Sequence, residues 1–120
     1  MKHPNNWFNS LFHAFNGLRL ATKERNVRFH IAASATVILS SSFLSLTAIE
    51  WAFIASAIAL VLITEFVNTA IEYVCDLITT NYSIHIKQIK DIAAAAVIIS
   101  AVYALLIAVL ILCPKILLYI

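Results

Sequence analysis

The stretch "WAFIASAIALVLITEFVNTAIEYVCDLI", residues 51–78, decides how this chain folds. Its first half, Trp51 to Thr64, is 14 apolar or neutral residues, too few to cross a hydrocarbon core alone. Its second half carries Glu65, Asn68, Glu72 and Asp76. No residue between them breaks a helix, and the first stop is "TTNYS" at 79–83. The two halves therefore read as one helix over 51–78. At ~100° per residue the four polar positions fall within roughly 80° of arc, with Thr69 near the edge. They form a single stripe, whereas solvated charges scatter.

Working outward, the whole chain is lipophilic. Of its 120 residues, 62% are hydrophobic and 12% are charged, against roughly 25% charged in a soluble domain. The mean hydropathy is +0.94. One glycine and two prolines favour helices over loops. His30 to Ile49 gives 20 residues without a formal charge, and Ile92 to Cys113 gives 22. Either run can span a core of about 30 Å at ~1.5 Å per residue. With the central helix this predicts three membrane helices, at 30–49, 51–78 and 91–113, in one domain covering 1–120. Open strand edges are not tolerated in lipid, so the fold class is an all-α membrane bundle.

The net charge of +2 is too small to indicate nucleic acid; the placement of the charges says more. Lys2, Arg19, Lys23, Arg25 and Arg28 precede the first run, Lys87 and Lys90 lie between the second and third, and Lys115 alone follows the third. The positive-inside rule puts the N-terminus and the second loop in the cytosol and the C-terminus outside. The first run is too long, and its charged flank too extended, for a cleaved signal peptide. Cys75 and Cys113 belong to opposite ends of the membrane and cannot pair. Residues 5–24 are amphipathic: Trp7, Leu11, Ala14, Phe15 and Leu18 recur at helical spacing, with Asn9, His13, Asn16, Arg19 and Lys23 on the other side. That pattern predicts a helix lying in the cytosolic interface.

Depth gives the stripe its chemistry. With Trp51 at the outer interface, Glu65 lies ~21 Å inward and Glu72 ~31 Å inward. Glu65 is then inside the apolar layer near its cytosolic side, Glu72 at the boundary, and Asp76 at the headgroups. An acid at the depth of Glu65 costs several kcal/mol unless it is paired or faces a polar cavity, which makes it a functional candidate. A plain interhelical hydrogen bond is the competing reading, and it suits Asn68 or Thr69 better than the whole stripe. A graded row of acids fits a reaction between a lipid and a water-soluble reactant. Carboxylates at the boundary can hold Mg²⁺ on nucleotide phosphates. A deeper one, shielded from water, can take a proton from a hydroxyl. Lys87 and Lys90 offer positive charge for phosphates. Gly17 is the only glycine, so a glycine-rich phosphate loop is excluded.

The pattern "EFVNTAIEYVCDL", then Tyr82, then "KDIAAAAV", resembles the small prokaryotic diacylglycerol kinases, a family that includes the undecaprenol kinases. "FNSLFHAFNGLRLATKERNVRFH" resembles the family's interfacial helix and its "ERN" segment. The likeness runs from about Phe8 to Leu112. It implies a homotrimer with active sites between subunits, three membrane helices and one interfacial helix, in the bacterial inner membrane. It implies phosphorylation of a lipid hydroxyl by Mg-ATP. By position, Glu65 matches the general base and Glu24 and Glu72 the metal-binding carboxylates. Asn68 matches the Asn beside the base. Lys90 and Asp91 match a pair at the nucleotide, and Tyr82 the loop that touches ATP. Asn81, Ser83 and His13 join that nucleotide set, and Asp76 and Arg19 a supporting one. Glu24 on its own reads as a solvated charge. The loop "NYSIHI" departs from the family's "EYHPLA", so that Asn81 and Ser83 stand in place of an acid and a His. "AAAAV" stands for "AAGAV", and the compact "TKERNVRFH" is closer to the undecaprenol kinase branch.

Two other classes compete. A small proton-coupled transporter has this length and an intramembrane Glu, but needs four spans and an acid nearer mid-membrane. A non-catalytic membrane subunit would use the stripe for docking.

Overall fold

The computed structural model describes residues 7–120, and all the regular structure within them is helical. Four helices follow one another: α1 (Trp7–Ala21), α2 (Arg25–Ser41), α3 (Ala48–Ile78) and α4 (Ile84–Leu117). Helix α3 begins three residues before Trp51 because Thr47 and Glu50 form a capping box. The Thr47 hydroxyl accepts from the Glu50 amide at 3.2 Å, and the Glu50 carboxylate accepts from the Thr47 amide at 2.9 Å. The helix ends at Ile78, where Thr79 turns extended. Ser83 then caps α4, accepting from the Ile86 amide at 3.4 Å. Both caps lie on polar residues at the two ends of the α3–α4 pair, which forms the body of the molecule.

Helices α3 and α4 are long and apolar enough to cross a membrane, with 31 and 34 residues. At ~1.5 Å per residue they measure ~46 and ~51 Å, so each exceeds a hydrocarbon core of about 30 Å. Most large apolar side chains along them, such as Leu60, Ile63, Ile98, Ile99 and Leu105, face outward. A soluble protein would not leave such a surface bare, and this is a membrane protein. Helix α4 starts seven residues before Asp91, carrying Lys87, Lys90 and Asp91 on its first two turns. Pro114 lies within it, close enough to the end that the lost backbone donor affects only the final turn.

Helix α2 differs most from the expectation of a span over 30–49. It starts earlier, at Arg25, and stops at Ser41. The cause is the serine-rich turn that follows. Ser42 Oγ bonds back to the Leu39 carbonyl at 2.6 Å, and Ser45 adopts a positive φ of 53°. Hydroxyls that compete for backbone groups favour turns over continued helix. The 17 residues of α2 give ~25 Å. Helix α1 is likewise shorter than 5–24: it ends at Ala21, and residues 5 and 6 lie outside the described part. Arg28 ties the α1–α2 turn by donating to the carbonyls of Thr22 at 3.2 Å and Lys23 at 2.6 Å. Trp7, Phe8, Phe12 and Phe15 on α1 are exposed.

The core is small. Ile54, Ala57 and Ile107 are buried together in the half of the molecule away from the α3–α4 turn, flanked by Val37, Trp51 and Tyr103. Further along, Thr64 and Ser100 bridge α3 to α4 through their hydroxyls at 2.7 Å. The polar stripe begins one residue beyond that bridge.

Candidate active site

Glu65 is 3% exposed, and Asn68 and Thr69 are 7% exposed. The packing of α2 and α4 against α3 buries this upper part of the stripe within a single chain. The Thr69 hydroxyl is satisfied by the Glu65 backbone carbonyl at 2.9 Å. The Glu65 carboxylate meets His30 of α2, whose Nε2 lies 3.3 Å from Oε2. Among the described residues, the buried Asn68 side-chain oxygen has no hydrogen-bond partner. A buried acceptor left in that state costs about 1–3 kcal/mol, so Asn68 is an orphan placed one turn from the acid. His30 also lines an apolar cleft of about 350 Å³ with Phe29, Ala33, Ser34 and Val61.

Beyond Thr69 the stripe emerges. Glu72 is half-buried and Asp76 is exposed. An open groove of about 420 Å³ lies at this end, where α3 turns into α4. Asp76, Asn81, Tyr82, Ser83, Lys90 and Asp91 all line it. Lys90 Nζ donates to Asp76 at 3.1 Å, and Lys87 Nζ donates to Asp91 at 2.6 Å. Lys90 and Asp91, expected to act as a pair, are each engaged with a different residue. Both ion pairs are solvent-exposed and therefore weakly held. The groove can exchange them for a charged ligand at little cost.

Glu24 sits at the N-cap of α2, half-buried, and accepts a hydrogen bond from the Tyr73 hydroxyl at 3.1 Å. That contact places Glu24 against α3 at Tyr73, the residue that follows Glu72 in the chain. Magnesium in nucleotide sites needs only one or two protein carboxylates beside the phosphates, and Glu24 with Glu72 fits such a set. Among the described residues, no group of three or more His, Cys, Asp or Glu side chains is placed to hold a metal by itself. His13 and Arg19 are exposed on α1 and do not line the groove. His13 instead makes an edge contact with Phe12, at 5.9 Å between ring centres. Sequence reasoning missed His30 and Tyr73. Each is a polar side chain near the end of a helix, but its partner lies 35 or 49 residues away along the chain.

The buried acid Glu65 lies 11 residues, about three helical turns, along α3 from Asp76 in the charged groove. The family model described as "Prokaryotic diacylglycerol kinase" matches residues 12–112. The chain belongs to that family. It is a lipid kinase, a transferase of phosphoryl groups. It is 40% identical over 112 residues to a Bacillus subtilis (strain 168) protein named undecaprenol kinase, covering 92% of this chain and 91% of that one. It is 39% identical over 111 residues to a diacylglycerol kinase of Synechocystis sp., covering 90% of this chain and 63% of that protein. A Helicobacter pylori diacylglycerol kinase is 30% identical over 97 residues, covering 80% of this chain and 76% of that protein.

Proposed function

We propose that this protein phosphorylates the hydroxyl of a membrane lipid with Mg-ATP at the cytosolic interface, and that undecaprenol is preferred over diacylglycerol. The observation that carries the reading is the graded stripe on α3. It runs from Glu65, buried, to Asp76, exposed in a groove that also holds Lys90. The preference for undecaprenol rests on the relative named undecaprenol kinase, which is matched along nearly the whole length of both chains.

In this reading the lipid hydroxyl approaches Glu65 from within the bilayer. Its oxygen attacks the γ-phosphorus of ATP as its proton passes to the Glu65 carboxylate. The bond to the bridging oxygen breaks, and ADP leaves through the groove. Lys90 exchanges Asp76 for a phosphate oxygen, which is cheap because the resting pair is exposed. Asn81, Tyr82 and Ser83 border the nucleotide, and Asp91 closes the groove. Asn68 supplies the unpaired acceptor nearest the reacting hydroxyl. Glu24 and Glu72 would hold the Mg²⁺, which neutralises phosphate charge. Catalysis of this kind is mostly positioning and charge stabilisation, so a rigid α3 suits it.

The same reading has three crossings, with α2 as the first, the N-terminus cytosolic and the C-terminus outside the bacterial inner membrane. Helix α1 lies in the interface with its exposed aromatic residues in lipid. The family resemblance supports a homotrimer with sites shared between subunits. The test is phosphate transfer from labelled ATP, with purified protein in mixed micelles containing undecaprenol or diacylglycerol. Label in undecaprenol above that in diacylglycerol is expected. Label in neither lipid would sink the reading, and a preference for diacylglycerol would reverse its substrate.

A further inference from the structure

We infer that His30 is a positioning residue for Glu65, pinning one carboxylate oxygen so that the other is presented to the substrate hydroxyl. Nothing in the sequence pattern assigns it a role; the packing of α2 on α3 does. The inference rests on the reading of Glu65 as the base.

The argument is geometric. Among the described residues, His30 is the sole side chain paired with the Glu65 carboxylate, Nε2 to Oε2 at 3.3 Å. The Glu65 side chain is 4% exposed and that of His30 is 20% exposed. A carboxylate so enclosed has few ways to fix its rotation. On its own helix, the neighbouring Thr69 hydroxyl is committed to the Glu65 backbone carbonyl. A single contact to Oε2 leaves Oε1 unpaired and fixes where it points. Bases in active sites are commonly oriented by such a third group. His30 is itself well held. It follows Phe29, whose ring meets it edge-on at 5.4 Å, and its backbone carbonyl accepts from Ser34 Oγ at 2.7 Å. It sits within the first two turns of α2, after Arg28 has fixed the preceding turn. The orienting contact is therefore built from rigid parts, as a site needing sub-ångström placement requires.

The test measures kcat and KM for ATP and lipid in His30→Ala, His30→Leu and His30→Gln, each alone and combined with Glu65→Gln. A lost orienting contact lowers kcat by roughly 10-fold or more, with KM for ATP within about twofold of wild type. Gln carries a donor on a side chain of similar reach and restores kcat to within about threefold of wild type. On the Glu65→Gln background, removing His30 adds nothing to the loss, because the two residues act as a unit. Leu fills the space and replaces Ala in the comparison if His30→Ala does not fold, as judged by its thermal melt in detergent. Wild-type kcat in His30→Leu overturns the inference. So does an equal loss in Leu and Gln variants, or a loss that multiplies with that of Glu65→Gln. Full turnover in Glu65→Gln by itself removes the base and this inference with it. A dead Glu65→Gln beside an unaffected His30→Leu removes only the inference.

Discussion

Glu65→Gln separates the chemical role of this side chain from its structural one. Gln has the length of Glu and keeps an oxygen that can face His30 Nε2, now 3.3 Å from Oε2. It cannot accept the hydroxyl proton. Loss of a positioned general base lowers turnover by roughly 10²- to 10⁴-fold, equivalent to about 2.7–5.4 kcal/mol of barrier. Stability should change little, because Gln conserves the volume that Glu65 fills at a site 3% exposed. Glu65→Ala is the contrasting variant. It opens a cavity and strands His30, so it should lose about 2–4 kcal/mol of stability as well as activity. The assay is the initial rate of label transfer from ATP to lipid in mixed micelles, paired with thermal melts in the same detergent. Turnover near wild type in Glu65→Gln would refute the assignment of the base. A melt of Glu65→Gln as low as that of Glu65→Ala would refute the claim that the carboxylate's packing and its chemistry can be separated.

Glu72→Gln and Glu24→Gln should each raise the Mg²⁺ concentration needed for half-maximal rate, with partial recovery at high Mg²⁺; unchanged metal titrations would make both residues structural. Lys90→Ala should raise KM for ATP by roughly 10-fold, since a charge on the phosphates is lost. An unaltered KM would mean that the groove at the α3–α4 turn is not the nucleotide site. Chains carrying Glu24→Gln and chains carrying Glu65→Gln, unfolded together and reassembled with different tags, should regain part of the activity if sites are shared. Mixed trimers as inactive as the separate variants would confine each site to one chain.

The sequence revealed the stripe because a helix converts spacing into direction, and four polar residues at offsets of three and four cannot scatter. It located the end of α3 to the residue, since Thr79 and Thr80 stop an apolar helix plainly. It placed the start of α4 seven residues late because hydropathy marks where lipid begins, whereas helicity continues through Lys87 and Lys90 into water. The uncharged run 30–49 reads past the end of α2 because serines carry no charge, although their hydroxyls compete with the helix backbone and end it at Ser41. The depth of Glu65 inside the apolar layer is legible from the count of residues after Trp51, but what encloses it is not. The fold buries it with its own helices. His30 and Tyr73 escaped because their partners depend on the register in which α2 lies against α3, and periodicity within one helix carries no information about that.

Helix α3 runs unbroken from lipid to groove, with neither glycine nor proline anywhere along it. Such a rod transmits rotation as faithfully as length. Inserting one residue between Asn68 and Glu72 would swing Asp76 through ~100° and lift it ~1.5 Å relative to Glu65. Inserting seven would nearly restore the angle and misplace the height by ~10 Å. Neither error can be absorbed by a bend, so the chain has no tolerance for length variation in this interval. In the proposed mechanism the depth at which phosphate changes hands is set by a count of residues, and a lipid whose hydroxyl rides higher or lower in the bilayer must itself move to meet it.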